Sequence, residues 1–430
     1  MKTSLNTPMK LGLLTSLYLS QGLPFGFFTQ TLPVLLRTQG MSLPDIGLAN
    51  LLALPWALKF LWAPLMDRYG SERLGRRRGY ILPLQVLSAA LLLGLALPEG
   101  TVSIPVLLGA VLLVNLLAAT QDVATDGLAV ELLERHERGW GNGIQVAGYR
   151  VGMILGGGLM LILIDTLGWR STLLSMGAML LVATVPVALF REPPSPASGH
   201  EAVSLGPWLR ESLLSWTRRP GAGTWLTLLV LFKAGEHLAT GMLRTFLVDV
   251  GLELAQVGWM LGIVGFTTGL LGALIGGALV NRLGQRRALL VFGTLQAAAV
   301  LLYALAALGA SVPVLALVCG VEHLASGMAT ATLFTVMMDQ CRPEHAASDY
   351  TLQASLVVLA TGAAAAVSGF SAQAFGYAWH FTLSAAVCAL AVVWVALTFH
   401  PPRTLAPGAH PKAADRIQTQ TKQTLTKRTQ

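Results

Sequence analysis

The chain has 430 residues, of which 54% are hydrophobic and only 12% charged, with a mean hydropathy of +0.63. A soluble globule needs about a quarter charged residues, so this composition excludes one and describes an all-α polytopic membrane protein. A net charge of +8 and a pI near 9.7 would point to nucleic acid in a soluble chain. Here the basic residues sit in short loops between apolar runs, where they orient the spans, and no nucleic-acid partner is expected.

Apolar runs of about 20 residues each cross the hydrocarbon core of a bilayer. Twelve are present, at 11–34, 46–66, 79–97, 102–130, 141–165, 170–190, 223–248, 255–280, 288–308, 311–338, 348–374 and 379–399. With both termini in the cytoplasm, Arg37 and Arg170 are the cations of the outside loops, Lys59, Arg150, Lys233 and Arg244 lie in spans, and the rest of the 29 Lys and Arg are cytoplasmic. That asymmetry sets the expected orientation. The longest interior loop begins Glu192-Pro-Pro-Ser-Pro-Ala-Ser-Gly-His200 and holds Trp208 and Trp216, so it reads as a linker. The expected organisation is a six-helix bundle over 1–191, the linker 192–222, a second six-helix bundle over 223–399, and a disordered cytoplasmic tail over 400–430.

The two halves repeat. The loop framed by Gly40 and Gly47 matches the one framed by Gly251 and Gly258. Pro64-Leu-Met-Asp67-Arg68-Tyr-Gly70, followed by Arg76, Arg77 and Arg78, matches Ala278-Leu-Val-Asn281-Arg282-Leu-Gly284, followed by Arg286 and Arg287. Glu131 to Gln145 and Asp339 to Gln353 both cover a polar turn of the same length. Such internal symmetry is the mark of a transporter built from two related bundles.

Ionisable groups inside a bilayer cost ~2.5 kcal/mol or more and face a bundle interior or an aqueous pathway. In the first half these are Lys59, Asp122, Asp126 and Arg150, with Asp122 and Asp126 four apart on one helix face. One of the two acids reads as a proton carrier, or else as half of a static pair with Lys59 or Arg150. In the second half Lys233, Glu236 and His237 share about one turn, where Lys233 and Glu236 can neutralise each other, and Glu322 and His323 follow in the tenth span. Gln21, Gln30, Trp62 and Tyr149 add amides and ring faces to the candidate pathway, although aromatics in spans more often pack than bind. Gly148, Gly152 and Gly156 form a smooth strip for close helix approach, or a surface on which the halves rock. Cys319, Cys341 and Cys388 have neither paired nor zinc-ligand spacing, and neither metal nor cofactor is expected. With no phosphate-binding glycine loop in the chain, an ion gradient becomes the expected energy source. A polytopic membrane enzyme or a non-transporting receptor remains the alternative from another class.

The paired turns resemble the signature of the major facilitator superfamily, which implies twelve helices in two pseudo-symmetric bundles. The resemblance places a cytoplasmic gate at Asp67, Arg68, Arg76, Arg77, Arg78, Glu131, Arg138, Arg282 and Asp339, with Asp67 latching the halves and the uncharged Asn281 making the latch asymmetric. Lys59-Phe-Leu-Trp62-Ala-Pro64-Leu-Met-Asp67-Arg68-Tyr69, Gln121-Asp122, Glu137-Arg138-Gly139 and Gly148-Tyr149-Arg150-x-Gly152-Met153 look like the AmpG permeases, muropeptide importers of the bacterial inner membrane. Within that clan, Leu17-Tyr-Leu-Ser-Gln21-Gly-Leu-Pro24-Phe-Gly26 and Asp349-Tyr350-Thr351-Leu-Gln353-Ala-Ser355 are most similar to the RhtX/FptX siderophore importers. The resemblance implies a monomeric, proton-coupled importer of a siderophore or ferric siderophore of pyochelin or rhizobactin type. A muropeptide, an anhydro-sugar peptide, is the alternative substrate.

Overall fold

The computed structural model describes residues 6–41, 49–71, 73–97, 102–192, 206–208, 210–211, 214 and 218–400. Residues 42–48 of the first glycine-framed loop, 193–200 of the linker, Trp216 and the tail from 401 onward lie outside the described residues.

Helix α1 starts behind Asn6, whose side chain accepts the Met9 N–H at 3.1 Å, with Pro8 in its first turn. It runs as Thr7–Gly26, loosens into a π turn at Phe27–Thr31, and ends as Leu32–Thr38. The π turn follows Pro24, which has no N–H for the helical ladder. Helix α5 carries a matching π turn, Leu155–Leu159, which packs on the first. There Thr31 donates its hydroxyl to the Gly157 carbonyl at 3.0 Å, so an irregular backbone at membrane depth is satisfied by its neighbour.

Helix α2 departs most from expectation. The run 46–66 reads as one span but is built from short pieces: the 3-10 turn Ala49–Ala53, Leu54–Leu58, the 3-10 turn Lys59–Leu61, and Ala63–Arg68. Pro55 and Pro64 each remove a ladder hydrogen bond, and the backbone tightens between them. Lys59 therefore projects from a 3-10 turn.

The remaining spans are α3 (Arg78–Leu95), α4 (Ile104–Leu132), α5 (Arg138–Ile154, continuing through its π turn to 167), α6 (169–189) and α7 (Ala222–Asp249). Next come α8 (Leu254–Gly258, the π turn Trp259–Val264, then Gly265–Leu283), α9 (Gln285–Ala306) and α10 (Val312–Asp339), followed by α11 (346–375) and α12 (377–398). Helices α5 and α6 reverse at Gly168 with φ 77°, and α11 and α12 reverse at Gly376 with φ 74°, a left-handed conformation that a residue without Cβ adopts freely. The same device at the same place in each half repeats in backbone what the sequence repeats in residues.

Each half has its own apolar core. Phe27, Phe28, Leu92, Leu107, Met160 and Met176 fill the first, and Phe246, Leu247, Val300, Tyr303, Cys319 and Phe381 the second. The halves meet along α5 and α8, where a Cβ on Gly139 would fall 2.2 Å from the Gly277 carbonyl and one on Gly277 would fall 2.3 Å from the Gly139 carbonyl. The strip Gly148, Gly152 and Gly156 faces α1 instead, with a Cβ on Gly152 only 2.3 Å from the Leu19 carbonyl. Close helix approach is thus its role within one half, and Gly139 and Gly143 serve the boundary between halves.

Candidate functional site

At one end of the bundle, here termed the basic end, the turn after α2 carries Asp67 to Arg78. Asp67 is fully buried and accepts the Ala347 and Ser348 N–H groups at 3.2 and 2.7 Å, together with the Ser348 hydroxyl. Those are free donors at the start of α11, so a carboxylate from the first half caps a helix of the second. Arg77, also fully buried, reaches Asp67 at 2.7 Å, Glu131 at 2.5 Å and the Met66 carbonyl at 2.9 Å. Burial works against its charge, but Asp67 and Glu131 outweigh it and hold the guanidinium above its ordinary pKa. Arg76 bonds the Asp67 carbonyl.

Arg78 and Arg282 sit apart from this latch. Arg78 caps the end of α6 through the Val187 and Ala188 carbonyls at 3.0 and 2.6 Å, and Arg282 is exposed. Arg68 stacks on Tyr69, 5.5 Å from the ring centre. A second clasp joins Arg138 of α5 to Asp339 of α10 and to the Met338 carbonyl at 3.2 Å, while Gln285 holds the other Asp339 oxygen. Asn281 donates to the His136 carbonyl, also across the boundary. From the linker, Trp208 donates to the Pro64 carbonyl at 3.3 Å and stacks on His345 at 4.8 Å. Glu137, at the start of α5, accepts from Lys10 at 2.7 Å and from Thr7 at 2.5 Å.

Deeper in the first half, the two acids of α4 part ways. Asp122 pairs with Lys59 in a buried contact between α4 and α2, and Lys59 also lies over the Trp56 ring at 5.7 Å. Asp126 instead accepts the Tyr18 hydroxyl at 3.0 Å and the Gln145 amide at 3.3 Å, and Gln145 accepts the Tyr350 hydroxyl of the other half at 3.3 Å. Phe25, Trp56 and Tyr149 cluster at centroid distances of 5.3 to 6.4 Å, with Trp62 packed against them. Gln21 is wholly buried with neither amide atom hydrogen-bonded, and the Trp62 indole N–H is likewise buried without an acceptor. Gln30, nearer the opposite end of α1, is exposed and reaches the Met153 carbonyl at 3.4 Å.

In the second half, Lys233 and Glu236 do pair within α7, and the pair is drawn into a wider network. Gln296 of α9 donates to Glu236 at 2.7 Å, Ser326 of α10 bonds its other oxygen, and Lys233 donates to Thr330 at 2.9 Å. His237 stays near its own helix, with Nδ1 3.2 Å from the Lys233 carbonyl. Arg150, partly exposed on α5, lies within electrostatic reach of Glu236 and Glu322 across the boundary. It therefore faces the acids of the second half and not Asp122 or Asp126. Glu322 and His323 contact each other at 2.9 Å.

Several partners escaped the sequence reading: Gln85 and Gln121, which converge on Ser20 at 2.8 and 3.1 Å, Asn115, which accepts the Trp56 N–H at 3.1 Å, and Gln296. Their signal was a lone amide within an otherwise apolar run. Ser348 had none, because its role arises from the position of a helix end. Among the described residues no group of three or more His, Cys, Asp or Glu has the geometry to hold a metal.

Two six-helix bundles with a repeated charged turn, a buried latch and polar networks facing one boundary define a multi-pass membrane transporter, and the chain belongs to the Major Facilitator Superfamily, which it matches over residues 14–348 and again over 234–428. Within that superfamily it is an AmpG-like permease. It is 32% identical over 392 residues to the anhydromuropeptide permease of Escherichia coli (strain K12), covering 87% of this chain and 77% of that one. Among solved structures it resembles the human organic anion transporter MFSD10 (TETRAN), with a TM-score of 0.73 and 16% identity over 91% of this chain and all of that one. It also resembles the E. coli fucose:proton symporter FucP, with a TM-score of 0.69 and 16% identity over 91% of this chain and 98% of the other.

Proposed function

We propose that this chain is a proton-coupled importer of an anhydro-sugar peptide in the bacterial inner membrane, with its basic end and both termini in the cytoplasm. The observation that carries this reading is the similarity to the anhydromuropeptide permease across most of both chains. The geometry supports it in two ways. Hydrogen bonds between the halves gather at the basic end, at Asp67, Arg138 and Asn281, with Gln145 and Tyr350 deeper, while Gln30 toward the far end of α1 is exposed, as an outward-facing arrangement requires. Gln30 and Arg150, which keep accessible surface, supply an amide and a guanidinium suited to sugar hydroxyls, peptide amides and carboxylates.

The siderophore reading rested on motifs in α1 and at the start of α11. In α11 those residues already have partners inside the protein: Asp349 binds Arg342 at 2.7 Å, Tyr350 binds Gln145, and Gln353 accepts the Trp225 indole at 2.7 Å. With similarity to the anhydromuropeptide permease across most of both chains, the muropeptide is the first choice. We read the chain as a carrier without catalysis, acting as a monomer without metal or cofactor.

The test is uptake of radiolabelled anhydromuropeptide, beside a panel of ferric siderophores, into cells deleted for their own importers and expressing this chain. Protonophore-sensitive uptake of the muropeptide supports the reading, and uptake of a siderophore alone overturns it.

A further inference from the structure

The buried acids differ in how completely they are engaged. Asp122 has Lys59, Asp126 has Tyr18 and Gln145, and Glu236 has Lys233, Gln296 and Ser326. Glu322 is the exception. It is 1% exposed, its Oε2 lies 2.9 Å from His323 Nδ1, and its Oε1 has no hydrogen-bond partner. A carboxylate buried with a bare oxygen is costly, and the neutral acid in the same place costs much less.

The setting of His323 connects this acid to the boundary between the halves. Its side chain keeps one-fifth of its surface exposed, and the ring lies against Gly265 of α8, where an added Cβ would fall 2.7 Å from Cδ2 and 2.8 Å from Nε2. One helical turn along the same face, Gly269 receives the Arg150 guanidinium of the first half. The π turn Trp259–Val264 ends immediately before Gly265, and such bulges recur where a helix is shaped around a function. His323 and Arg150 thus lie against the same face of α8, one helical turn apart.

We propose that Glu322 and His323 form the proton-binding site of the carrier, with Arg150 as the counter-charge that links its occupancy to movement of the halves. His323 Nδ1 lies 2.9 Å from both the Cys319 carbonyl and Glu322 Oε2, so its proton is shared between them. A hydronium ion gives its proton to Nε2 and leaves as water, and the Nδ1 proton moves to Glu322 Oε2, leaving a neutral imidazole beside a neutral acid. Release runs the same two transfers in reverse. The other groups around Glu322 are Tyr303 of α9, His237 of α7 and Cys388 of α12, while Cys319, one turn back on α10, meets His323 through its carbonyl and thiol. Arg150 is the cation that acts on Glu322 from the opposite half. When α5 slides against α8, the separation between Arg150 and Glu322 changes, and the proton affinity changes with it. The link to transport rests on the proposed function; the proton site does not.

Two measurements keep them apart. Infrared difference spectra of the reconstituted protein between neutral and acidic pH, with no substrate added, should show a buried carboxylic-acid carbonyl band that Glu322→Gln removes. Retention of the whole band in that variant overturns the site. Gly265→Ala leaves the acid in place but pushes on the imidazole, so the band should persist with a displaced pH midpoint; an unchanged midpoint overturns the role of His323. In proteoliposomes, Glu322→Gln should lose accumulation of anhydromuropeptide driven by a proton gradient while keeping exchange across the membrane. Full gradient-driven accumulation by that variant overturns the coupling, whereas absence of muropeptide transport in the wild type would strike the proposed substrate and leave the infrared result standing.

Discussion

Asp67 and Asn281 hold the same place in the two copies of one turn, yet they are built into different structures. Asp67 is fully buried, paired with Arg77, and caps the first N–H groups of α11. Asn281 is exposed and donates one hydrogen bond to the His136 carbonyl. A neighbouring feature is shared, since Arg78 bonds the last carbonyls of α6 and Arg286 bonds the Ala396 carbonyl of α12 at 2.6 Å. Duplication has kept in both halves the arginine that closes a bundle, and in one half the carboxylate that joins the two bundles. A sequence repeat therefore marks common descent of the fold more strongly than common function of its residues.

The largest difference between the two turns is expected at Arg77. Removing its side chain leaves Asp67 and Glu131 with the more distant Arg76, at 3.8 and 4.0 Å, as cation, and a buried pair broken from one side loses about 3–5 kcal/mol. Arg77→Ala should lower the melting temperature of the purified protein far more than Arg286→Ala; equal losses would remove the distinction between the halves. Asp67→Asn is milder, because the amide oxygen still accepts from one of the two α11 N–H groups, while the NH2 loses the other and Arg77 loses a charged partner, a change on the order of 1–3 kcal/mol. Spin labels placed across the basic end should then report a larger fraction of separated halves, with Asp67→Ala shifting further. Asn281→Asp points a carboxylate at the His136 carbonyl on an exposed surface, with an effect below about 1 kcal/mol. Uptake by that variant should stay near the wild-type rate, and a collapse of transport would show that the copy is a latch in its own right.

The smallest effect concerns Glu137. Burial opposes its charge, but Lys10, Thr7 and the Glu134 N–H outweigh burial and hold its carboxyl below the usual range. A carboxylate with a depressed folded-state pKa stabilises the protein above its unfolded value of about 4.3 and loses that contribution as pH falls through the folded value. The melting-temperature difference between wild type and Glu137→Gln should hold constant from neutral pH downward and shrink only in the acid range. A difference that vanished already near neutrality would assign the contact to something other than the carboxylate charge.

The twelve spans were readable because apolar length is a local property of the chain, whereas the two reversals show only in the backbone, through the positive φ of Gly168 and Gly376. The broken form of α2 was readable in part, since Pro55 and Pro64 were visible but the 3-10 turn that presents Lys59 depends on both together. Pairing was the least legible. Asp122 and Asp126 share a helix face, yet one turns to α2 and the other to α1 and α5, and only the packing of three helices decides that. Lys233 and Glu236, three apart on one helix, carried their pairing in their spacing, but Gln296 and Ser326 joined them from other spans. Ser348 became part of the latch because α11 begins there with unpaired N–H groups.

The most direct measurement is thiol accessibility at Gln30, in a protein whose Cys319, Cys341 and Cys388 are replaced by Ala. Gln30→Cys should react quickly with a membrane-impermeant maleimide added outside spheroplasts, and anhydromuropeptide should slow the reaction. Labelling confined to inside-out vesicles, or indifferent to the muropeptide at concentrations that saturate uptake, would contradict the proposed function.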